Sequence, residues 1–326
     1  MQNMPKIVVS AMGFGRASPD AVDRLKKIAQ LDLNTANVRY QEADFLEKLA
    51  DAEVLIAGTE KISNRVLFEA KNLKLIARVG VGLDNIDLNV AKAHEISIAY
   101  TPEAPTQAIP EFTLSLMLNL VKNLHCVDRK MHQGEWYRPM GKMLSSLKVG
   151  IVGAGKIGSS LIHLLARAFP GIALYFYDPY VDGDDLAAVK CGLPELFQNC
   201  DMISLHLPLN EKTKGLVDAE LLKSMKAGSY LVNTSRGGIV DEAALAALLA
   251  ERHLAGAALD VFETEPYDGP LSILENCLLT AHIGSLTQEV RGLMEQQVAE
   301  DVCRFLQGKP LLRPVPGFDY NKRETV

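Results

Sequence analysis

The stretch LKVGIVGAGKIGSSLIHLLARAFPGIALYFYD, residues 147–178, decides the fold. Residues 148–152 are a short apolar, partly β-branched run that leads directly into Gly153, Gly155 and Gly158 at G-x-G-x-x-G spacing. An alanine- and leucine-rich segment continues to Phe169 and stops at Pro170-Gly171, and a second apolar run, 172–177, ends in Asp178. The order is strand, tight turn, helix, strand, acid. The first glycine permits the sharp turn, the second lets backbone N–H groups approach a pyrophosphate, and the third lets helix pack close to strand. The helix N-terminus offers partial positive charge to the phosphates, and an acid about 20 residues beyond the glycines is placed to accept hydrogen bonds from ribose hydroxyls. A carboxylate there would repel a 2′-phosphate, so Asp178 selects NAD over NADP.

Working outward, the 326 residues suffice for two domains of ordinary size. With 48% apolar and 23% charged residues the chain reads as soluble and globular. A net charge of −6 without a basic cluster argues against a nucleic-acid surface. Cys126, Cys191, Cys200, Cys277 and Cys303 are odd in number, scattered and never in C-x-x-C pairs, so neither a disulfide framework nor a zinc site is expected. His125 and His132, a heptad apart, have no companion ligands, and no metal is expected. After Lys6 only IVVSA precedes a glycine-containing loop, too short for a secretory leader, and no run reaches membrane-spanning length. The chain is expected to be cytoplasmic.

Upstream, residues 6–100 alternate strand-like runs at 7–9, 37–40, 54–57, 73–79 and 96–100 with helical stretches at 19–30, 44–50, 64–70 and 88–94. That order predicts a parallel sheet with helices on its faces. Gly13-Phe14-Gly15 lacks a third glycine and a following acid, and reads as a loop. The segment 100–110 carries three prolines; beyond it 111–131 predicts one long helix whose first half, FTLSLMLNLV, is apolar almost all round and must be buried on more than one side. A polar loop, QGEWYRPMGKMLSS, holds the only tryptophan, Trp136.

Downstream, strands are predicted near 202–205, 230–233, 255–259 and 278–280, with a helix at 241–252, giving a doubly wound sheet of about six strands. Residues 286–326 contain one amphipathic helix to about Gly308 and a proline-rich tail, too little for a separate core. The tail is expected to return to the first unit, so that the chain crosses twice, near Tyr100 and Ser285, making a hinge and a cleft.

Three strand ends deliver reactive groups to one edge. NTSRGGIVDE places Arg236 after one strand, LDVFETEP places Asp260 and Glu265 after the next, and TAHIGS places His282 after the last. Hydride transfer to a 2-oxo acid uses these types. A guanidinium grips carboxylate and carbonyl by its fork geometry. An imidazole gives a proton to the carbonyl oxygen, and a carboxylate behind it fixes the ring and stabilises the imidazolium. His206, in SLHLPL, lies beside the cofactor or is a satisfied strand-end histidine. Gly80-Val81-Gly82 reads as an anion-holding nest of backbone N–H groups.

RVGVGLDNID, the glycine loop, LHLPLNEKTKGLV, NTSRGGIVDEAAL, ALDVFETEP and AHIGSLTQE follow one another over nearly the whole chain. This series resembles that of the D-isomer-specific 2-hydroxyacid dehydrogenases. The resemblance implies an NAD-binding Rossmann domain, 101–285, inserted into a discontinuous flavodoxin-like α/β substrate domain, 1–100 plus 286–326. It places the catalytic roles on Arg236, Glu265 and His282. It implies that Asp260 binds the nicotinamide amide and that Val81 and Gly82 hold the substrate carboxylate. Gly153, Gly155, Lys156, Ile157, Gly158, Asp178, His206, Pro208, Thr213, Thr234 and Gly284 complete the expected cofactor contacts. Homodimers through the cofactor domains are also implied.

Within the family ARVGVGLDNID and PEAPTQA look most like the phosphoglycerate dehydrogenase branch, where Arg78 would help bind a substrate phosphate. D-3-phosphoglycerate is therefore the expected substrate. Against it, Gly58-Thr59-Glu60 stands where a further basic residue is expected, and no C-terminal regulatory domain follows; Lys61 and Arg138 could substitute. The alternatives are a reductase of unphosphorylated 2-oxo acids of the hydroxypyruvate or glyoxylate type, and an NAD-sensing protein resembling the carboxy-terminal-binding corepressors.

Overall fold

In a computed structural model, which describes residues 4–318, the chain forms two parallel sheets. The first comprises β1 (Lys6–Val9), β2 (Gln30–Leu33), β3 (Val54–Ala57), β4 (Leu75–Arg78) and β5 (Ser97–Ala99). Its order is β2-β1-β3-β4-β5, the flavodoxin-like arrangement. Every residue of β3, β4 and β5 is buried, as strands covered by helices on both faces must be.

The second sheet comprises β6 (Lys148–Val152), β7 (Ala173–Tyr177), β8 (Val189–Lys190), β9 (Met202–Leu205), β10 (Tyr230–Asn233), β11 (Gly256–Leu259) and β12 (Cys277–Leu279). Its order, β12-β11-β10-β9-β6-β7-β8, is that of a Rossmann sheet with the switch point between β6 and β9. It has seven strands, one more than the sequence reading, because two residues at 189–190 pair along β7.

The described residues divide into two compact units. One runs to Pro105 and resumes at Leu286; the other is Thr106–Ser285. Each of the four hydrophobic clusters lies within a single unit.

Two further elements differ from expectation. The second strand is Gln30–Leu33, not 37–40. The helix Pro19–Lys26 ends early, and Gln30 N–H donates to the Pro5 carbonyl, starting the pairing with β1. Residues 37–40 are looped because the Asn34 amide donates to Val38 O and its oxygen accepts from Val38 N–H, while Asn37 is left-handed at φ 54°. The predicted long helix is two, Ala108–Lys122 and Leu124–His132, broken at Asn123 (φ 54°, ψ 33°). Asparagine tolerates this conformation better than most residues.

The C-terminal stretch joins the first unit. The helix Gln288–Leu306 buries Met294, Val298, Ala299 and Val302 in the cluster that contains Ile7, Val9 and Leu75. Beyond it Ile98 N–H donates to Phe318 O, Tyr100 N–H to Arg313 O and Val315 N–H to Ile98 O, covering the β5 edge. Asp301, 1% exposed, accepts from Leu312 N–H at 2.6 Å and from Arg313 Nη1 at 2.8 Å.

Candidate active site

The glycine loop leaves β6 at Gly153, whose φ of +93° is open to glycine far more than to other residues. A Cβ there would also lie 2.5 Å from the His206 carbonyl oxygen. At Gly158 it would stand 1.9 Å from Gly153 O, so the helix Lys156–Ala168 packs directly on the turn. At Gly155, which caps that helix, it would meet nothing within 4 Å. Among the described residues no contact requires the second glycine, whereas close approach of a pyrophosphate to the helix N-terminus would. Lys156 is exposed and Ile157 half-buried beside it. Asp178, 8% exposed after β7, accepts from Ala154 N–H at 2.8 Å on Oδ2 and from Tyr180 N–H at 2.8 Å on Oδ1. It ties the glycine loop to the end of β7. These residues fit a dinucleotide.

Farther along the same edge His206 follows β9, with Nε2 2.9 Å from Ser204 Oγ; burial pushes its pKa down to about 4, so the ring is neutral. Thr213 Oγ1 donates to Pro208 O at 2.6 Å and accepts from Asn210 N–H at 2.9 Å, closing the loop after β9. Thr234 Oγ1 lies 3.0 Å from Thr113 Oγ1.

The ends of β10, β11 and β12 are laced together past the sheet. Asp260 N–H donates to Asn233 O at 3.0 Å, and His282 N–H donates to Asp260 O at 2.8 Å. The Asn233 side chain donates to Arg236 O and accepts from the Ser235 N–H and hydroxyl, folding an Asx-type turn that presents Arg236. Arg236 Nη1 donates to Ser235 O at 2.7 Å. A Cβ on Gly237 would lie 1.9 Å from the Phe262 carbonyl carbon, so the arginine turn abuts the loop that carries Glu265.

His282 stands in that frame with φ +54° and its Nδ1 3.1 Å from both Glu265 oxygens. Glu265 Oε1 also accepts from Phe262 N–H at 3.3 Å. Asp260, 1% exposed, receives Thr280 Oγ1 at 2.7 Å, Ile283 N–H at 2.9 Å and Gly284 N–H at 2.8 Å. Its carboxylate thereby clamps the loop on which the left-handed His282 sits. Sequence reasoning missed this clamp, as it did Asn233 and Glu242. Glu242 accepts from Glu263 N–H at 2.7 Å; burial, and then the Glu263 and Glu265 charges, push its carboxyl above the usual range. An asparagine at the end of a strand is a turn signal that would have revealed Asn233.

In the first unit Arg78 ends β4. It is 4% exposed and folds back on its own loop, Nη1 donating to Val79 O at 2.7 Å and Nε to Gly82 O at 3.1 Å. Gly80 N–H donates to Thr101 Oγ1 at 2.9 Å, and Val81 and Gly82 are half-buried at the loop crest. His125 and His132 are engaged separately: His125 Nδ1 lies 2.8 Å from Asn119 Oδ1, and His132 Nε2 lies 3.5 Å from Asp128 Oδ1. The five cysteines are free thiols. Among the described residues no helix is long and apolar enough to cross a membrane.

Fold and site define a two-unit parallel α/β protein whose Rossmann unit carries a dinucleotide cradle and an arginine–carboxylate–histidine set. The family model described as "D-isomer specific 2-hydroxyacid dehydrogenase, NAD binding domain" matches residues 114–284. The chain is 35% identical over 299 residues to the D-3-phosphoglycerate dehydrogenase of Methanocaldococcus jannaschii, covering 89% of this chain and 56% of that one. It is 33% identical over 300 residues to the glyoxylate reductase of Korarchaeum cryptofilum, covering 88% and 90%. The crystal structure of the TT0316 protein from Thermus thermophilus superposes with a TM-score of 0.85 at 32% identity, covering 95% of this chain and 99% of that one. The chain spans about half the length of the D-3-phosphoglycerate dehydrogenases it matches. It belongs to the D-isomer-specific 2-hydroxyacid dehydrogenase family.

Proposed function

We propose that the protein is an NAD-dependent D-2-hydroxyacid dehydrogenase that interconverts a small D-2-hydroxy acid and its 2-oxo acid. The observation that carries this reading is the His282–Glu265 pair: with Nδ1 committed to the carboxylate at 3.1 Å, Nε2 is the ring atom left for a substrate. In the reductive direction Nε2 gives its proton to the substrate carbonyl oxygen, and Glu265 stabilises the imidazolium from which it leaves. Oxidation runs the proton back to Nε2. Arg236 supports a substrate carboxylate and polarises the carbonyl through its fork. On the first unit, the loop of Val81 and Gly82 offers backbone N–H groups suited to an anion. The glycine loop and Asp178 would hold the dinucleotide, which would supply or accept the hydride when bound.

The same reading takes the chain as a cytoplasmic homodimer, with Phe112, Leu114 and Leu118, half-buried on the helix Ala108–Lys122, as apolar surface for the partner. The relatives named for 3-phosphoglycerate and glyoxylate frame the substrate question. NADH consumption should be followed against 3-phosphohydroxypyruvate, hydroxypyruvate, glyoxylate, pyruvate and a bulky 2-oxo acid. Turnover of at least one is expected; a folded, NADH-binding protein inert toward all of them overturns the reading.

A further inference from the structure

The first unit has a switch point of its own. Strand order reverses between β1 and β3, and in such sheets ligands bind in the crevice outside the strand ends at that place. Here the donors of the crevice face a group of the chain itself. Glu60, three residues past β3, is 2% exposed. Its Oε1 accepts from the Gly58 N–H at 2.8 Å and from the hydroxyl of Ser10, the residue after β1. Its Oε2 fills the space a side chain on Gly58 would take, 2.6 Å from the position of a Cβ there, with Ala11 Cα on the other side. The Asn85 amide donates to Glu60 O at 2.8 Å and to Gly58 O at 3.3 Å, fastening this loop to the one that carries Val81 and Gly82.

A backbone N–H and a hydroxyl converging at a strand switch are what an external anion would use. An internal carboxylate already satisfies them. Arg78, at the end of β4, is turned onto the Val79 and Gly82 carbonyls.

We propose that Glu60 is a specificity-determining residue, a built-in anion seated in the switch-point crevice of the substrate unit. It restricts the protein to 2-oxo acids whose group beyond the oxo carbon carries no phosphate. A phosphate dianion brought to this edge would face a buried carboxylate in a medium that screens poorly, and would find the N–H and O–H donors taken. An uncharged hydroxyl meets no such repulsion and can donate to a carboxylate. This inference rests on the reading above and names its substrate class.

The test compares hydroxypyruvate with 3-phosphohydroxypyruvate in NADH-dependent reduction by the wild-type protein and by Glu60→Gln. The wild type should favour the unphosphorylated acid by about tenfold or more in kcat/KM, and Glu60→Gln should shift the ratio toward the phosphorylated acid by a similar factor. On the wild type alone, D-glycerate should inhibit at concentrations about tenfold below those needed of 3-phosphoglycerate. A wild-type preference for the phosphorylated acid overturns the inference and leaves the dehydrogenase reading standing. Failure to reduce any 2-oxo acid overturns both. A folded Glu60→Gln protein with an unmoved ratio removes Glu60 from specificity. Should that variant not fold, the inhibition comparison decides: equal inhibition by the two acids overturns the inference.

Discussion

His282 combines two features that separate its chemistry from its placement. Its ring is bonded to Glu265, while its backbone, left-handed at φ +54°, is held by Asp260 through Ile283 and Gly284. Asparagine also tolerates that backbone and can still donate to Glu265, but it has no proton to give a carbonyl oxygen. His282→Asn should therefore lower kcat by about 10²–10⁴-fold. NADH affinity, read by fluorescence titration, should be retained; an active variant would take the proton step away from His282. His206 makes the contrasting case. Burial pushes its pKa down to about 4, below the ~6.5 of an exposed imidazole. The stability that its neutral ring contributes is complete above about pH 6.5 and is lost as pH falls toward 4, because the unfolded chain takes up a proton the folded one refuses. The slope approaches ~1.4 kcal/mol per pH unit in that window. His206→Gln should flatten the acid side of a Tm–pH profile, and an unchanged slope would show that His206 does not titrate this way.

Among the elements, the turn from β6 into the helix Lys156–Ala168 separates what a glycine does for the fold from what it does for a ligand. Gly158→Ala would drive a methyl to 1.9 Å from Gly153 O, so turn or helix must shift, at a cost of ~1–3 kcal/mol or more. Gly155→Ala meets no protein atom within 4 Å and should leave the melting temperature nearly unchanged while abolishing NADH binding. Thermal melts with and without NADH check the pair; intact binding in Gly155→Ala would move the pyrophosphate elsewhere. This spacing was fully legible in the sequence, as were the buried strands β3, β9 and β10, because short apolar runs bounded by turn residues have few other readings. The strand Gln30–Leu33 was not, since its pattern QLDL continues a helical run and only pairing to β1 reveals it. Nor was the break at Asn123, where one left-handed residue interrupts an apolar pattern that reads straight through. At the site, the residue types and their strand ends were readable. The inward turn of Arg78 onto its own loop and the burial of Glu60 were not, because charge alone does not say which way a side chain faces.

For the whole molecule, interruption of one unit by the other sets an asymmetry in what can fold alone. Both clusters that support the Rossmann sheet draw every buried residue from 106–285. Both clusters of the first unit draw on the C-terminal segment: Met294, Val298 and Val302 from the helix Gln288–Leu306 in one, Val315 and Phe318 in the other. Each such side chain contributes about 1.5–3 kcal/mol on burial. Losing five of them would remove most or all of the ~5–15 kcal/mol by which a domain is stable. Without the tail, Ile98 and Tyr100 also lose the backbone acceptors supplied by Phe318 and Arg313, and Ser18 N–H loses the Glu295 carboxylate that accepts from it at 2.9 Å. The fragment 106–285 should accordingly unfold cooperatively in urea and bind NADH, whereas 1–105 should show no cooperative transition until the segment from 286 is restored, in cis or as an added peptide. A cooperative, stable 1–105 fragment would mean that the C-terminal helix only covers a sheet already able to stand, and the two crossings of the chain would then carry no folding constraint.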